Sequence, residues 1–203
     1  MFLSHAYGIL THPDQEWSEI HREVSGPTAS DAIFLALLAS IGPVCAFISS
    51  TQLGWQIGNG TVTKLTIISA LELTLFTYSA ILCGVFGLGY LSDWMAKTYG
   101  GEPDEQSANG YILSSYACIP LFLAGGILIY PEPLLNMIVL LFAGLYSAYL
   151  FYRGLPIVMG INEERAFLFG ISILTVGLIY LVATLVGTVL LWSFGYSPVF
   201  VSG

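Results

Sequence analysis

A single carboxylate, Glu72, stands inside an otherwise apolar run that extends from Leu65 to Leu91. That run exceeds the roughly 20 residues a helix needs to cross a bilayer. Glu72 follows Lys64 by about 12 Å of helix rise, well inside a hydrocarbon core roughly 30 Å thick. A charged carboxylate at such depth costs about 2.5–3.5 kcal/mol on insertion scales. Two roles fit an acid held there. It marks an ion or proton path or a polar substrate contact, or it is a protonated structural acid hydrogen-bonded to serine or threonine on another helix. Thr66, Ser69 and Thr74 show that the same run already carries hydroxyl groups.

A second candidate polar site surrounds Pro120, with Tyr111, Ser114, Ser115 and Tyr116 just ahead of it. A proline within a membrane helix removes one backbone hydrogen bond. It frees a carbonyl near Tyr116 that can line a polar cavity or be satisfied by a serine or a neighbouring helix. A third group, His12, Glu16, Glu19 and Glu23, recurs at helical spacing near the N-terminus. Histidine and glutamate four residues apart can share a metal, but a lone histidine among exposed acids lacks the dry surroundings that strengthen such sites. A solvated acidic face is the simpler reading. No nucleophile–base constellation and no phosphate-cradling glycine loop stands out, so the sequence points away from an enzyme. It calls for no cofactor and no metal.

These residues are embedded in a chain of 203 residues that is 56% hydrophobic and 9% charged. Soluble domains carry about 25% charged residues, so lipid is the main solvent of this chain. The formal charge is −8 with only five basic residues, scattered, which excludes the basic stripe of a nucleic-acid binder. Cys45, Cys83 and Cys118 all fall in apolar stretches and read as free packing residues. The N-terminus has no basic region ahead of a short apolar core, and no signal peptide is expected.

The expected architecture is all-α and polytopic: five transmembrane helices preceded by an N-terminal amphipathic helix. Residues 1–30 form an N-terminal segment. Its first ten residues are too short to span and suit the membrane surface. Thr11-His12-Pro13-Asp14 predicts a helix start, with Thr11 as the cap and Pro13 in the first turn. Trp17, Ile20 and Val24 recur at spacings of three and four, one apolar face of an interfacial helix, with Glu16, Glu19 and Glu23 opposite. That face suits either lipid at the headgroup boundary or the protein's own helices. Gly26-Pro27 ends the helix. The five-span domain occupies residues 31–192, with spans expected at about 31–50, 65–91, 110–129, 134–152 and 166–192. Pro43 is expected to kink the first span. Residues 51–64, 92–109 and 153–165 read as loops, Tyr130-Pro131-Glu132-Pro133 as a tight turn, Asn162 as the cap of the fifth span, and 193–203 as a short uncharged tail. Ala80, Gly84, Gly87 and Gly89 offer small-residue helix contacts within the chain or between copies.

Five spans put the termini on opposite sides. Arg22, Lys97, Arg153 and Arg165 fall on one side and Lys64 alone on the other. The positive-inside rule then predicts a cytoplasmic N-terminus and a C-terminus on the outer side, which is the periplasm if the membrane is a bacterial inner membrane. No internal repeat marks a transporter of the common repeat type.

Several motifs resemble one known family. They are His12-Pro13 followed by Trp17 and Ile20, Pro43-Val44-Cys45-Ala46-Phe47-Ile48, Thr51-Gln52-Leu53-Gly54-Trp55, Tyr116-Ala117-Cys118-Ile119-Pro120-Leu121-Phe122, Tyr149-Leu150-Phe151-Tyr152-Arg153-Gly154-Leu155-Pro156 and Gly160-Ile161-Asn162-Glu163-Glu164. On these the chain resembles the Yip-domain (Ypt/Rab-interacting) family, in its bacterial inner-membrane branch, over nearly its whole length. The resemblance implies a five-span fold in the bacterial inner membrane with a cytoplasmic N-terminus. Eukaryotic members act in vesicle traffic with lipidated small GTPases. That role does not carry over, because their Asp-Leu-Tyr-Gly-Pro signature is missing and only Gly26-Pro27 stands near its place. The expected function is therefore non-enzymatic: binding or organising membrane lipid, a membrane-protein partner or a second copy of the chain. The alternative is a small transporter or channel built around Glu72 and the Pro120 kink.

Overall fold

Five of the helices are long and apolar enough to cross a membrane: Ala29–Leu53, Ile67–Ala96, Asn109–Ile129, Pro133–Met159 and Glu164–Ser193. The structure is a computed structural model, and it describes residues 2–23, 28–56, 60–99 and 109–202. Val24, Gly26-Pro27 and residues 100–108 of the 92–109 loop lie outside the described residues.

Two short helices precede the spans, α1 (Phe2–Thr11) and α2 (Pro13–Glu23). Phe2–Thr11 is thus a helix, where only a surface segment was expected. Pro13 opens α2 as predicted, but Thr11 does not cap it. Its hydroxyl donates back to the carbonyls of Tyr7 and Gly8, at 3.2 and 3.3 Å, closing α1. The first span, α3 (Ala29–Ile48), begins at a capping box in which Thr28 accepts from the Asp31 amide and Asp31 from the Thr28 amide. Pro43 lies buried within α3, and a π-helical turn (Ser49–Leu53) extends the helix.

Gly54, at φ 73°, turns the chain sharply, a conformation glycine adopts without a Cβ penalty. The chain then enters β1 (Thr63–Leu65). The C-terminal tail does not hang free: β2 (Phe200–Ser202) pairs antiparallel with β1, Lys64 opposite Val201. The Thr66 amide donates to the Val199 carbonyl at 3.0 Å and the Val199 amide to the Ser69 hydroxyl at 3.1 Å. Backbone groups at a span's edge need partners, and a neutral tail within reach supplies them.

The second span, α4 (Ile67–Ala96), runs five residues past its expected end. The third is broken into α5 (Asn109–Ala117), α6 (Ile119–Ala124) and a 3-10 segment (Gly125–Ile129). Pro120 sits in the first turn of α6, so the expected proline effect is a full interruption at Cys118. The fourth span, α7 (Pro133–Met159), continues through Arg153 and Pro156, which the sequence suggested were loop. Leu155, Val158 and Met159 are buried there, so tertiary burial carries the helix past its proline. Gly160, left-handed at φ 63°, then ends it. The last span, α8 (Glu163–Ser193), starts three residues earlier than expected. Asn162 stands at its cap position without a side-chain cap bond; its carbonyl accepts from Arg165 and Ala166.

The larger apolar core lies at the end of the bundle that carries α1 and α2. It joins Ile9, Trp17 and Ile20 to Leu113, Tyr116, Leu150, Leu155 and Phe169. A smaller one gathers Leu35, Ala39, Val85 and Phe122. Leu141, Leu145, Leu178 and Leu185 are more than half exposed on α7 and α8, as lipid-facing residues should be.

Candidate functional site: the docked N-terminal hairpin

Trp17 and Ile20 are completely buried. The amphipathic helix therefore lies on the protein's own spans, and lipid contact through this face is excluded for the described residues. The periodicity that placed the two on one face is right, and their destination is the surface of α5 and α7. Gly154 makes room for them: a Cβ there would stand 2.7 Å from the Trp17 ring and 2.5 Å from Leu113. The indole N–H donates to the Leu150 carbonyl at 3.2 Å. One turn away on α7, the Tyr146 hydroxyl donates to the Leu10 carbonyl at 3.0 Å, fixing the end of α1.

Glu16 departs from the solvated face assigned to it. Its side chain is 13% exposed and lies 2.5 Å from His5 Nδ1, while His5 Nε2 faces Glu23 at 3.6 Å. Gly8 leaves the space the Glu16 carboxylate occupies; any Cβ there would collide with it. Glu16 thus goes to His5, and His12 goes to the Thr11 hydroxyl at 3.0 Å, not to Glu16. Sequence reasoning missed His5. The available signal was His5, Gly8 and Ile9 on one face of a short helix: a polar group, a notch and an apolar anchor.

The Tyr116 ring meets this cluster edge-on, with centroids 6.2 Å from His5 and 6.4 Å from Trp17. The remaining candidates around Pro120 turn elsewhere. Tyr111 stacks on Phe86 of α4 at 5.5 Å, and its buried hydroxyl has no hydrogen-bond partner among the described residues. Ser115 is buried and donates to the Ile112 carbonyl at 3.0 Å. Pro120 is buried at the helix break. Glu72 is half-buried in the second turn of α4, at the far end of the bundle from the hairpin. His5, Glu16 and Glu23 together clamp α1 onto α2 above the broken third span.

Two ion contacts complete this end. Arg153 grips Asp14 with both nitrogens, Nε to Oδ1 at 2.8 Å and Nη2 to Oδ2. Asp93 of α4 accepts the Gly110 amide at 2.6 Å, capping the start of α5 from a neighbouring helix. The Arg153 hydrogen bond holds the Asp14 carboxyl below its ordinary value of 3.8. A lowered carboxyl pKa adds stability above that ordinary value, and the contribution is lost as pH falls through the lowered one. Both side chains are about half exposed, so the pair is worth at most about 1 kcal/mol. Asp14→Asn is accordingly expected to raise hydrogen exchange in α2 slightly at pH 7 and to match the wild type in acid, below Asp14's titration. A difference that grows in acid would refute this pairing.

The Yip1 domain matches residues 7–184. The chain is 37% identical to the inner membrane protein YohC of Escherichia coli K12, over 96% of this chain and 98% of that one. The same identity and coverage hold for YohC of E. coli O6:H1, strain CFT073. No solved structure matches significantly. Five spans, the docked Trp17 helix and a match covering most of the length agree, and the chain belongs to the Yip1-domain family.

Proposed function

We propose that this chain is a bacterial inner-membrane protein that works by binding, engaging lipid or a membrane-protein partner, a second copy included, and not by catalysis. The observation that carries this reading is the burial of Trp17 and Ile20. With its apolar face locked inward, the hairpin turns Gln15, Ser18, Glu19, His21, Arg22 and Glu23 outward, a polar platform of mixed charge fixed to five spans. The inner-membrane location follows YohC's name. Arg22, Lys97, Arg153 and Arg165 gather at the hairpin end and Lys64 lies in β1 at the other, which supports a cytoplasmic hairpin and a periplasmic sheet.

The test is photo-crosslinking in native membranes from Glu19 on the platform and Leu178 on the lipid-facing side of α8. Discrete adducts with a protein, a second copy or one lipid class are expected. No partner, no self-association and no lipid preference would sink the proposal.

Glu72, a half-buried acid in a candidate span, supports the transporter alternative. It lies about 14 Å of helix rise from the midpoint of α4, close to the edge of a hydrocarbon core about 30 Å thick if the helix is centred. Solute flux in proteoliposomes that disappears in Glu72→Gln, with folding intact, would replace the binding reading with the transport one.

A further inference from the structure

Between α7 and α8 lies a groove of about 260 Å³. Ala148 and Tyr152 line it from α7, and Phe167, Gly170, Ile171 and Leu174 from α8. Gly170 is its floor. A Cβ there would stand 3.1 Å from the Tyr152 ring and 3.7 Å from Leu155, so the missing side chain lets Tyr152 of α7 pack close against α8 beside the groove. Residues 167–174 lie about 6–17 Å of helix rise past Glu163, the start of α8. That depth is the hydrocarbon of the leaflet at the hairpin end, since each leaflet contributes about 15 Å.

The occupant follows from depth, width and chemistry. Water is unsuited: a buried water needs two to four polar partners, and the lining is apolar except for the Tyr152 hydroxyl. A partner helix, about 10–12 Å across with its side chains, is too wide for a groove of about 260 Å³. A flexible alkyl chain is not. Exposed Leu145 on α7 and Leu168 and Leu178 on α8 turn apolar side chains outward on the same two spans, where acyl chains must lie. We propose that the α7–α8 groove is a seat for one acyl chain of a phospholipid from the hairpin-side leaflet. This names a ligand class for the binding reading and rests on it.

The test uses proteoliposomes of phosphatidylethanolamine and phosphatidylglycerol containing a trace of phospholipid with a mid-chain diazirine. After irradiation, labelled peptides are mapped. Labelling is expected to concentrate on residues 148–152 and 167–174 over the equally exposed 178–189. Two variants fill the groove from opposite walls, Gly170→Leu and Ala148→Leu, so that misfolding of either leaves the other to decide. Each is expected to cut groove labelling about tenfold, the loss for about two fewer buried methylenes. Gly177→Leu, whose Cβ meets nothing within 4 Å, should leave it unchanged. Even labelling along both helices, or groove labelling that survives both fillings, would overturn the seat. A protein or lipid adduct from Glu19 or Leu178 would in that case still stand, so the two failures are distinguishable.

Discussion

Trp17→Ala is expected to loosen the N-terminal hairpin while leaving the five spans folded. The ring is completely buried against Gly154 and Leu113, and its N–H is bonded to the Leu150 carbonyl. Truncating a core tryptophan to alanine costs about 3–5 kcal/mol. Ile9 and Ile20, also completely buried, keep part of the apolar anchor at about 1.5–3 kcal/mol each, and the polar contacts add little. The exposed Asp14–Arg153 pair contributes at most about 1 kcal/mol, the Tyr146–Leu10 bond a similar amount, and His5–Glu16 lies within the hairpin itself. Amides of 13–23 should exchange at least about a hundredfold faster in the variant, and a protease should cut there more readily. Trp17→Phe keeps most of the apolar ring and loses only the hydrogen bond, about 1 kcal/mol, so protection should be largely retained. Unchanged protection in Trp17→Ala would show that the hairpin is held by something other than this residue.

Gly110→Val is expected to separate the broken third span from the second. A Cβ at Gly110 would collide with the Gly89 carbonyl and lie 2.9 Å from the Asp93 carboxylate that caps α5. Overpacking costs about 1–3 kcal/mol where side chains can shift. The obstacle here is backbone, so the upper end applies, with roughly 1 kcal/mol more for the lost cap. Gly89→Val should behave alike, because its Cβ would stand 2.9 Å from Tyr111 Cα. Gly87→Val, whose Cβ meets nothing within 4 Å, should change stability by no more than about 0.5 kcal/mol. Thermal unfolding in detergent separates them. Equal midpoints for all three would mean that α4 and α5 do not pack through Gly89 and Gly110.

The five spans and the apolar face of Trp17 and Ile20 were legible in the residue order, because hydropathy over some 20 residues and a spacing of three and four are local properties of a chain. Helix ends and destinations were not. Arg153 and Pro156 read locally as loop, and α7 passes through both since Asp14, from the other end of the chain, takes the charge while Leu155 and Met159 find a core. The tail read only as short and uncharged, and it pairs with β1 because span-edge backbone groups lack partners of their own. Glu16 read as solvated until His5 was seen to reach it across a gap left by Gly8. What the amino-acid order determines by itself is that this chain lives in a membrane and how many times it can cross. Which carboxylate is buried, which glycine is a seat, and whether an amphipathic helix faces lipid or protein were decided by tertiary structure alone, since each depends on a partner distant in sequence that no local periodicity specifies.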